Sequence, residues 1–129
     1  MERFDEQRRE QRLRYHWPVW FAEDFSKVLS HGQMVDVSSS GAAFTCYADR
    51  TCPYPGQHLT ARFSVPHIEG DDNFNMSNFT RQGHVCRIDN VSSVLRRVAI
   101  QFADELPFKP GEQAESESQA QEKLKPVTI

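Results

Sequence analysis

Residues 13–21 read LRYHWPVWF, a stretch in which an apolar side chain occupies every second position. The alternating set is Leu13, Tyr15, Trp17, Val19 and Phe21. A period of two is typical of a β-strand that packs one face on a core. Pro18 has no backbone N–H, so it predicts an edge or a bulge within this strand. By the same parity, Trp20 is expected on the outer face.

Later segments repeat this pattern. Apolar runs or alternation predict strands at residues 34–37, 41–48, 59–65, 83–88 and 94–102. Between them, TCPYPG at 51–56 is a turn signal, and HIEGDDNFNMSNF at 67–79 is expected to form a long polar loop. Six short strands favour an all-β fold, a small six-stranded antiparallel barrel, because closure removes exposed strand edges.

Length and charge divide the chain further. The 129 residues fit one domain, and the net charge is −3. From residue 104 onward there are six acidic residues and three lysines, so the first 103 residues are neutral. We therefore expect a flexible arm at 1–12, a barrel at 13–106 and an acidic, disordered tail at 107–129. A neutral body also disfavours nonspecific binding to a nucleic acid polymer.

Several other classes of function lack support in the sequence. No apolar stretch is long enough to cross a bilayer, which predicts a cytoplasmic protein without membrane insertion. The three cysteines and five histidines lack the spacing of a metal site, so neither a metal nor a cofactor is expected. No nucleophile elbow or phosphate-binding GxxxxGK is present, and we expect no enzyme activity.

The arm DEQRREQRLR, residues 5–14, places Arg8 and Arg12 four residues apart. On a helix these like charges repel, and an anion with planar acceptors between them makes the arrangement favourable. A structural alternative stays open, in which Asp5 with Arg9 and Glu10 with Arg14 stabilise a solvated helix end.

The second candidate motif is DVSSSG, residues 36–41. If Val35 and Val37 face the core, Asp36 and Ser38 point outward. The final Gly41 is expected to adopt a positive φ, with backbone N–H groups of the turn left free for a ligand. An ordinary hairpin turn explains the same residues equally well.

The two motifs together are more specific than either alone. An RxxxR motif followed about twenty-four residues later by DxSxxG, within a six-stranded pattern, resembles the PilZ domain family. GHVCRID and RRVAIQFADEL, residues 83–89 and 96–106, look like the family's closing hairpin. The resemblance covers roughly residues 7–106.

The resemblance implies a receptor for cyclic di-GMP, a dianion with two guanines. Guanine offers O6 and N7 to a guanidinium, and it offers N1 and N2 donors to a carboxylate. The implied ligand-binding residues are Arg8, Arg12, Asp36, Ser38 and Gly41, with Arg9 as an addition. Gln7 stands where many members that bind two stacked ligands have arginine, so one or two ligands per site remain open.

The implied function is that of a signalling receptor. It would pass on the second-messenger signal through a ligand-ordered N-terminal arm and contacts with an unidentified partner protein. One alternative is a PilZ-like scaffold that acts by protein contacts without binding the nucleotide. Another is a small OB-like barrel for single-stranded nucleic acid, which needs aromatic side chains on a basic face.

Overall fold

The computed structural model describes residues 10–26, 28–69 and 73–113. Within them the chain forms seven β-strands and one turn of 3₁₀ helix. The strands are β1 Leu13–Arg14, β2 Pro18–Ala22, β3 Ser30–Val37, β4 Gly41–Tyr47, β5 His58–Glu69, β6 Asn73–Asn90 and β7 Leu95–Phe102, and the 3₁₀ helix is Pro110–Glu112.

The strands form a closed antiparallel barrel. Neighbours are hydrogen-bonded in the order β3-β2-β5-β6-β7-β4, and β4 pairs again with β3 to close the ring. The short β1 pairs with β3 beyond the end of β2. This confirms the predicted all-β, six-stranded antiparallel barrel.

The first predicted strand is broken in the middle. β1 and β2 lie along the same edge of β3, and the residues between them make isolated bonds to it. The N–H of Tyr15 donates to the carbonyl of Val35 over 3.1 Å, and the N–H of Met34 donates to the carbonyl of Trp17 over 2.7 Å. The interruption lies just before Pro18, which lacks the N–H needed to continue the ladder.

The barrel encloses one hydrophobic core built from alternate residues of every strand. Phe21 and Phe44 meet at its centre with ring centroids 4.8 Å apart, and both are fully buried. Trp20 points the other way, is 43% exposed and lies 5.2 Å from the ring of His31. The parity predicted from residues 13–21 is therefore confirmed for these side chains.

The predicted polar loop at 67–79 was wrong. β5 and β6 pair continuously from His58 opposite His84 to Glu69 opposite Asn73. The described side chains here are exposed, as at Asn75 and Asn78, or half-buried, as at Met76, so the sequence shows no regular alternation. Backbone hydrogen bonds between β5 and β6 hold this hairpin together, although its sequence lacks the alternation of a half-buried strand.

The segment after β7 closes one end of the barrel. Leu106 is buried in the core, and the ring of Phe108 stacks on His67 with centroids 4.1 Å apart. Pro110 is buried as well, and the side-chain amide of Gln113 donates to the carbonyl of Pro66 over 3.0 Å. The structure thus packs residues 107–113 on the barrel, although the sequence assigned them to the tail. Residues 114–129 lie outside the described part of the chain.

Candidate functional site

A concave surface of about 330 Å³ lies on the outer face of the barrel, over β4 and β7. Ala43 and Ala99 are paired at its floor, and Asp36 pairs with Ala43 from the other side. Both alanine side chains end at Cβ, so no long side chain rises from the floor between the charged groups. Charged groups from distant parts of the sequence surround this floor.

Asp36 holds two arginines at the rim. Arg12 Nε donates to one carboxylate oxygen over 2.7 Å, and Arg97 Nη2 donates to the other over 2.9 Å. Asp36 is 6% exposed, whereas each arginine side chain is 43% exposed. A single carboxylate therefore brings two guanidinium groups together and leaves much of both open to solvent. These three residues together therefore carry a net positive charge.

Ser38 connects Arg12 to the turn. Arg12 Nη1 donates to its Oγ over 3.1 Å, and the hydroxyl in turn donates to the carbonyl of Gly41 over 3.4 Å. The backbone N–H of Ser38 donates to the same carbonyl over 2.8 Å. The orientation of the Arg12 side chain is thus fixed by both ends of the DVSSSG motif.

The inward and outward residues of β3 differ from the expectation at one position. Met34 and Val37 are fully buried in the core, and the half-buried Val35 is not part of it. A β-bulge between Met34 and Asp36 inserts one extra residue, which changes the parity. Asp36 lies on the outer face as predicted, and its arginine partners cover it.

Gly41 is required for a reason other than the one expected. Among the described glycines, Gly56 is the one with a positive φ, so the predicted left-handed conformation at Gly41 was wrong. Instead, β7 passes very close to Gly41. A Cβ at this position would lie 2.5 Å from the carbonyl oxygen of Ile100. Only glycine allows this approach of β4 to β7.

We expect Gly41→Ala to lower the free energy of unfolding by about 1–3 kcal/mol, the usual cost of forcing a methyl group into a packed site. The first pairs of β4 with β7 would have to separate, which also displaces Ser38. Chemical denaturation would measure the loss, with Ala42→Gly as a control that changes the same strand without adding a clash. An unchanged midpoint for Gly41→Ala would show that the two strands can move apart freely.

The backbone N–H groups of the turn are engaged, which corrects the expectation that they are left free. The N–H of Ser39 donates to Glu10 over 2.7 Å, and that of Ser40 lies 3.4 Å from the hydroxyl of Ser38. The arm also contacts the 3₁₀ helix that follows β7. The N–H of Gln11 donates to the Glu112 carboxylate over 3.0 Å.

The structure brings four of the six predicted site residues together: Arg12, Asp36, Ser38 and Gly41. Arg8 and Arg9 lie outside the described residues. Sequence reasoning missed Arg97, which is 61 residues from Asp36 and belongs to no short motif. Its outward parity on β7, two residues before Ala99, was the available signal. It also missed Glu10 and Ser39, whose contact joins the arm to the turn.

Other features of the described residues also bear on the function. A larger concavity of about 430 Å³ includes His16, His31 and Tyr47, but none of the predicted ligand residues. Within the described part of the chain, no group of three or more histidine, cysteine or acidic residues is placed to hold a metal ion. Among the same residues, no helix is long and apolar enough to span a membrane.

Comparison with known proteins places this site in a family. The family model for the PilZ domain matches residues 6–116. The fold is similar to that of the Bacillus subtilis inhibitor of motility MotI/DgrA, with a TM-score of 0.60 and 15% sequence identity over 90% of this chain. This chain spans about half of that protein, 47% of its length. No curated protein matches the sequence. The match over most of the chain, on a six-stranded barrel that brings Arg12 onto the DVSSSG turn, shows that the chain belongs to the PilZ domain family.

Proposed function

We propose that this protein is a non-enzymatic receptor for cyclic di-GMP, and that the ligand binds over the floor formed by Ala43 and Ala99. The observation that carries the proposal is the pair of guanidinium groups, Arg12 and Arg97, held on one buried carboxylate beside an open concave surface. Membership of the PilZ family, a family of cyclic di-GMP receptors, supports this choice of ligand.

The two arginines have donors to spare. Arg12 uses Nε and Nη1 within the protein, and Arg97 uses Nη2, so the remaining N–H groups on their exposed sides can meet a ligand. A guanidinium forms paired hydrogen bonds with O6 and N7 of guanine, and it also binds phosphate oxygens strongly. Arg8 and Arg9 would add further cations from the arm.

Asp36 takes a different role from the one first inferred. Both of its oxygens already accept hydrogen bonds from arginines, so we assign it to the positioning of Arg12 and Arg97. Each carboxylate oxygen has a second lone pair, and a guanine N1 or N2 donor could still add to it. In either case the carboxylate sets the geometry on which binding depends.

Calorimetric titration with cyclic di-GMP tests the proposal directly. GTP, cyclic di-AMP and a short single-stranded oligonucleotide are the controls for guanine alone, for the cyclic dinucleotide backbone and for a nucleic acid polymer. We expect selective binding of cyclic di-GMP. The absence of any heat that fits a binding curve would reject the receptor and favour the scaffold alternative, and preference for the oligonucleotide would favour a nucleic-acid-binding barrel.

Cysteine reactivity gives an independent prediction. Cys86 is exposed and lines the concavity, whereas Cys46 is buried and its burial raises its pKa to about 12. A thiol reagent should therefore modify Cys86 in the folded protein and leave Cys46 unmodified. Saturating cyclic di-GMP should slow the reaction of Cys86 by at least about five-fold, because a bound ligand covers it.

Mass spectrometry of the alkylated protein would follow each cysteine separately. Cys52 is the internal control, since it lies in the loop between β4 and β5 and does not line the concavity. Equal rates at Cys86 with and without ligand would place the nucleotide elsewhere on the barrel.

The signal is proposed to leave through protein contacts, since a receptor without catalysis must act through its surface. Large apolar side chains are exposed at Trp20, Val28 and Leu29. Aromatic residues on a surface are typical of protein interfaces. Substitution of these residues would test whether they contact a partner protein. Calorimetric titration with cyclic di-GMP tests whether the nucleotide binds.

A further inference from the structure

The arm and the turn meet through a contact that the ligand residues do not require. One Glu10 carboxylate oxygen accepts the backbone N–H of Ser39 over 2.7 Å, and the other accepts the Ser39 hydroxyl over 2.8 Å. Ser39 is 6% exposed. An anionic side chain thus occupies a two-donor site at the base of the DVSSSG turn.

This two-donor site belongs to a firmly held part of the backbone. The carbonyl of Ser39 accepts the N–H of Leu106 over 2.8 Å, and the carbonyl of Ser40 accepts the N–H of Phe102 over 2.8 Å. These bonds attach the turn to the end of β7. The backbone N–H of Ser39 therefore keeps its direction whether or not Glu10 is present.

The chemistry of the site suits a phosphate as well as a carboxylate. Both present two oxygens that share a negative charge, and both accept hydrogen bonds from an N–H and an O–H placed side by side. Arg12 binds Ser38, the residue that precedes Ser39 in the turn, and Ser38 and Ser40 on either side of Ser39 line the concavity. The Ser39 donors are therefore flanked along the chain by residues of the nucleotide site.

We propose that the N–H and hydroxyl of Ser39 form a phosphate-oxygen subsite of the nucleotide site, and that Glu10 is an internal competitor that fills it in the free protein. This inference rests on the proposed function. Binding then exchanges one anion for another, and the affinity reflects the difference between the two. The Glu10 carboxylate would then leave Ser39, while Arg12 remains on Asp36.

Glu10→Gln tests the competition. The amide is neutral and accepts weakly, so the ligand no longer has to displace a carboxylate. We expect the affinity for cyclic di-GMP to rise about ten-fold, which is about 1.4 kcal/mol. Circular dichroism and thermal melting would confirm that the variant is folded.

Glu112→Gln is the matched control. Glu112 also binds the arm, by accepting the N–H of Gln11, and its substitution removes the same charge from the same region. It leaves Glu10 on Ser39. We expect its affinity to stay within about two-fold of the original protein, because general electrostatic attraction changes little at moderate salt.

A double-mutant cycle with Ser39→Ala identifies the subsite itself. In the original protein the missing hydroxyl weakens both the competitor and the ligand, so the two effects largely cancel. In the Glu10→Gln background the ligand alone loses it, and the affinity should fall by about five- to ten-fold. Such dependence on the background would not arise if Ser39 merely stabilised the turn.

The outcomes distinguish failure of the proposed Glu10 competition from failure of the proposed cyclic di-GMP receptor. If the original protein binds cyclic di-GMP and Glu10→Gln binds no tighter, or if Glu112→Gln gains as much, the competition is overturned and the receptor stands. If Glu10→Gln binds more weakly, Glu10 supports the bound state and the competition is equally overturned. If neither the original protein nor Glu10→Gln binds, the receptor and the competition are both rejected.

Discussion

Asp36→Ala is expected to lower the affinity for cyclic di-GMP by at least about 100-fold, which is about 2.7 kcal/mol. The carboxylate is the common partner of Arg12 and Arg97, and without it the two guanidinium groups repel each other and turn toward solvent. Two charge-assisted hydrogen bonds lose their geometry at once. Titration calorimetry at fixed salt measures the loss.

The effect on the fold should be much smaller than the effect on binding. Both arginines are about half solvated and stay hydrated when they lose Asp36, so the free energy of unfolding should fall by only about 1–2 kcal/mol. Asp36→Asn keeps the shape and one acceptor, and it should bind with intermediate affinity. Asp49→Ala is the control, since it removes an exposed carboxylate that accepts hydrogen bonds from Thr51 in the loop after β4 and does not line the concavity.

Two results would contradict this role for Asp36. If Asp36→Ala binds as tightly as Asp49→Ala, the arginine pair is not the ligand site. If binding survives but guanine is no longer preferred over adenine, Asp36 reads the base and does not merely place the arginines. The comparison with cyclic di-AMP distinguishes these two results.

The barrel could be predicted because its strands are half buried. Where one face packs on the core, apolar residues fall on alternate positions, as they do through Val19 and Phe21 in β2 and through Val98 and Ile100 in β7. This alternation is a local signal with a period of two residues. It fails in the β5–β6 hairpin beyond Val65, where the backbone ladder continues through exposed and half-buried residues without regular alternation.

Fine backbone geometry could not be predicted from alternation. The bulge between Met34 and Asp36 shifts the parity by one residue, and nothing in the sequence marks its position. At Gly41 the sequence predicted a positive φ, whereas the structure shows a close approach of β7. The strand that makes this approach lies about sixty residues away along the chain.

Those residues of the candidate site that belong to short sequence motifs could be predicted. Arg12, Asp36, Ser38 and Gly41 belong to two compact patterns, and the barrel brings those patterns together. Arg97 joins them only because β7 pairs with β4, which is a consequence of topology. Glu10 lies within the RxxxR motif, but its contact with Ser39 could not be predicted. That contact depends on the direction of the Ser39 N–H, which is defined only in the folded turn.

Arg12→Ala is the second substitution with a large expected effect. Arg12 is the residue through which the arm reaches both Asp36 and Ser38, and its exposed N–H groups face the concavity. We expect the affinity for cyclic di-GMP to fall about 100-fold, because a fork of charge-assisted hydrogen bonds is lost. The melting temperature should change little, since a half-exposed ion pair contributes little to stability.

The kind of contact can be separated from the charge. Arg12→Lys keeps the positive charge but cannot form paired bonds, so it should recover only part of the affinity. Raising the salt concentration should weaken the original protein more than Arg12→Ala, because the variant has one cation fewer facing the phosphates. Arg62→Ala is the matched control, since it removes an exposed arginine of β5 that lies over the Phe25 ring and does not line the concavity. Equal affinities for Arg12→Ala and Arg62→Ala would mean that the charge of the barrel attracts the ligand without a defined site at the DVSSSG turn.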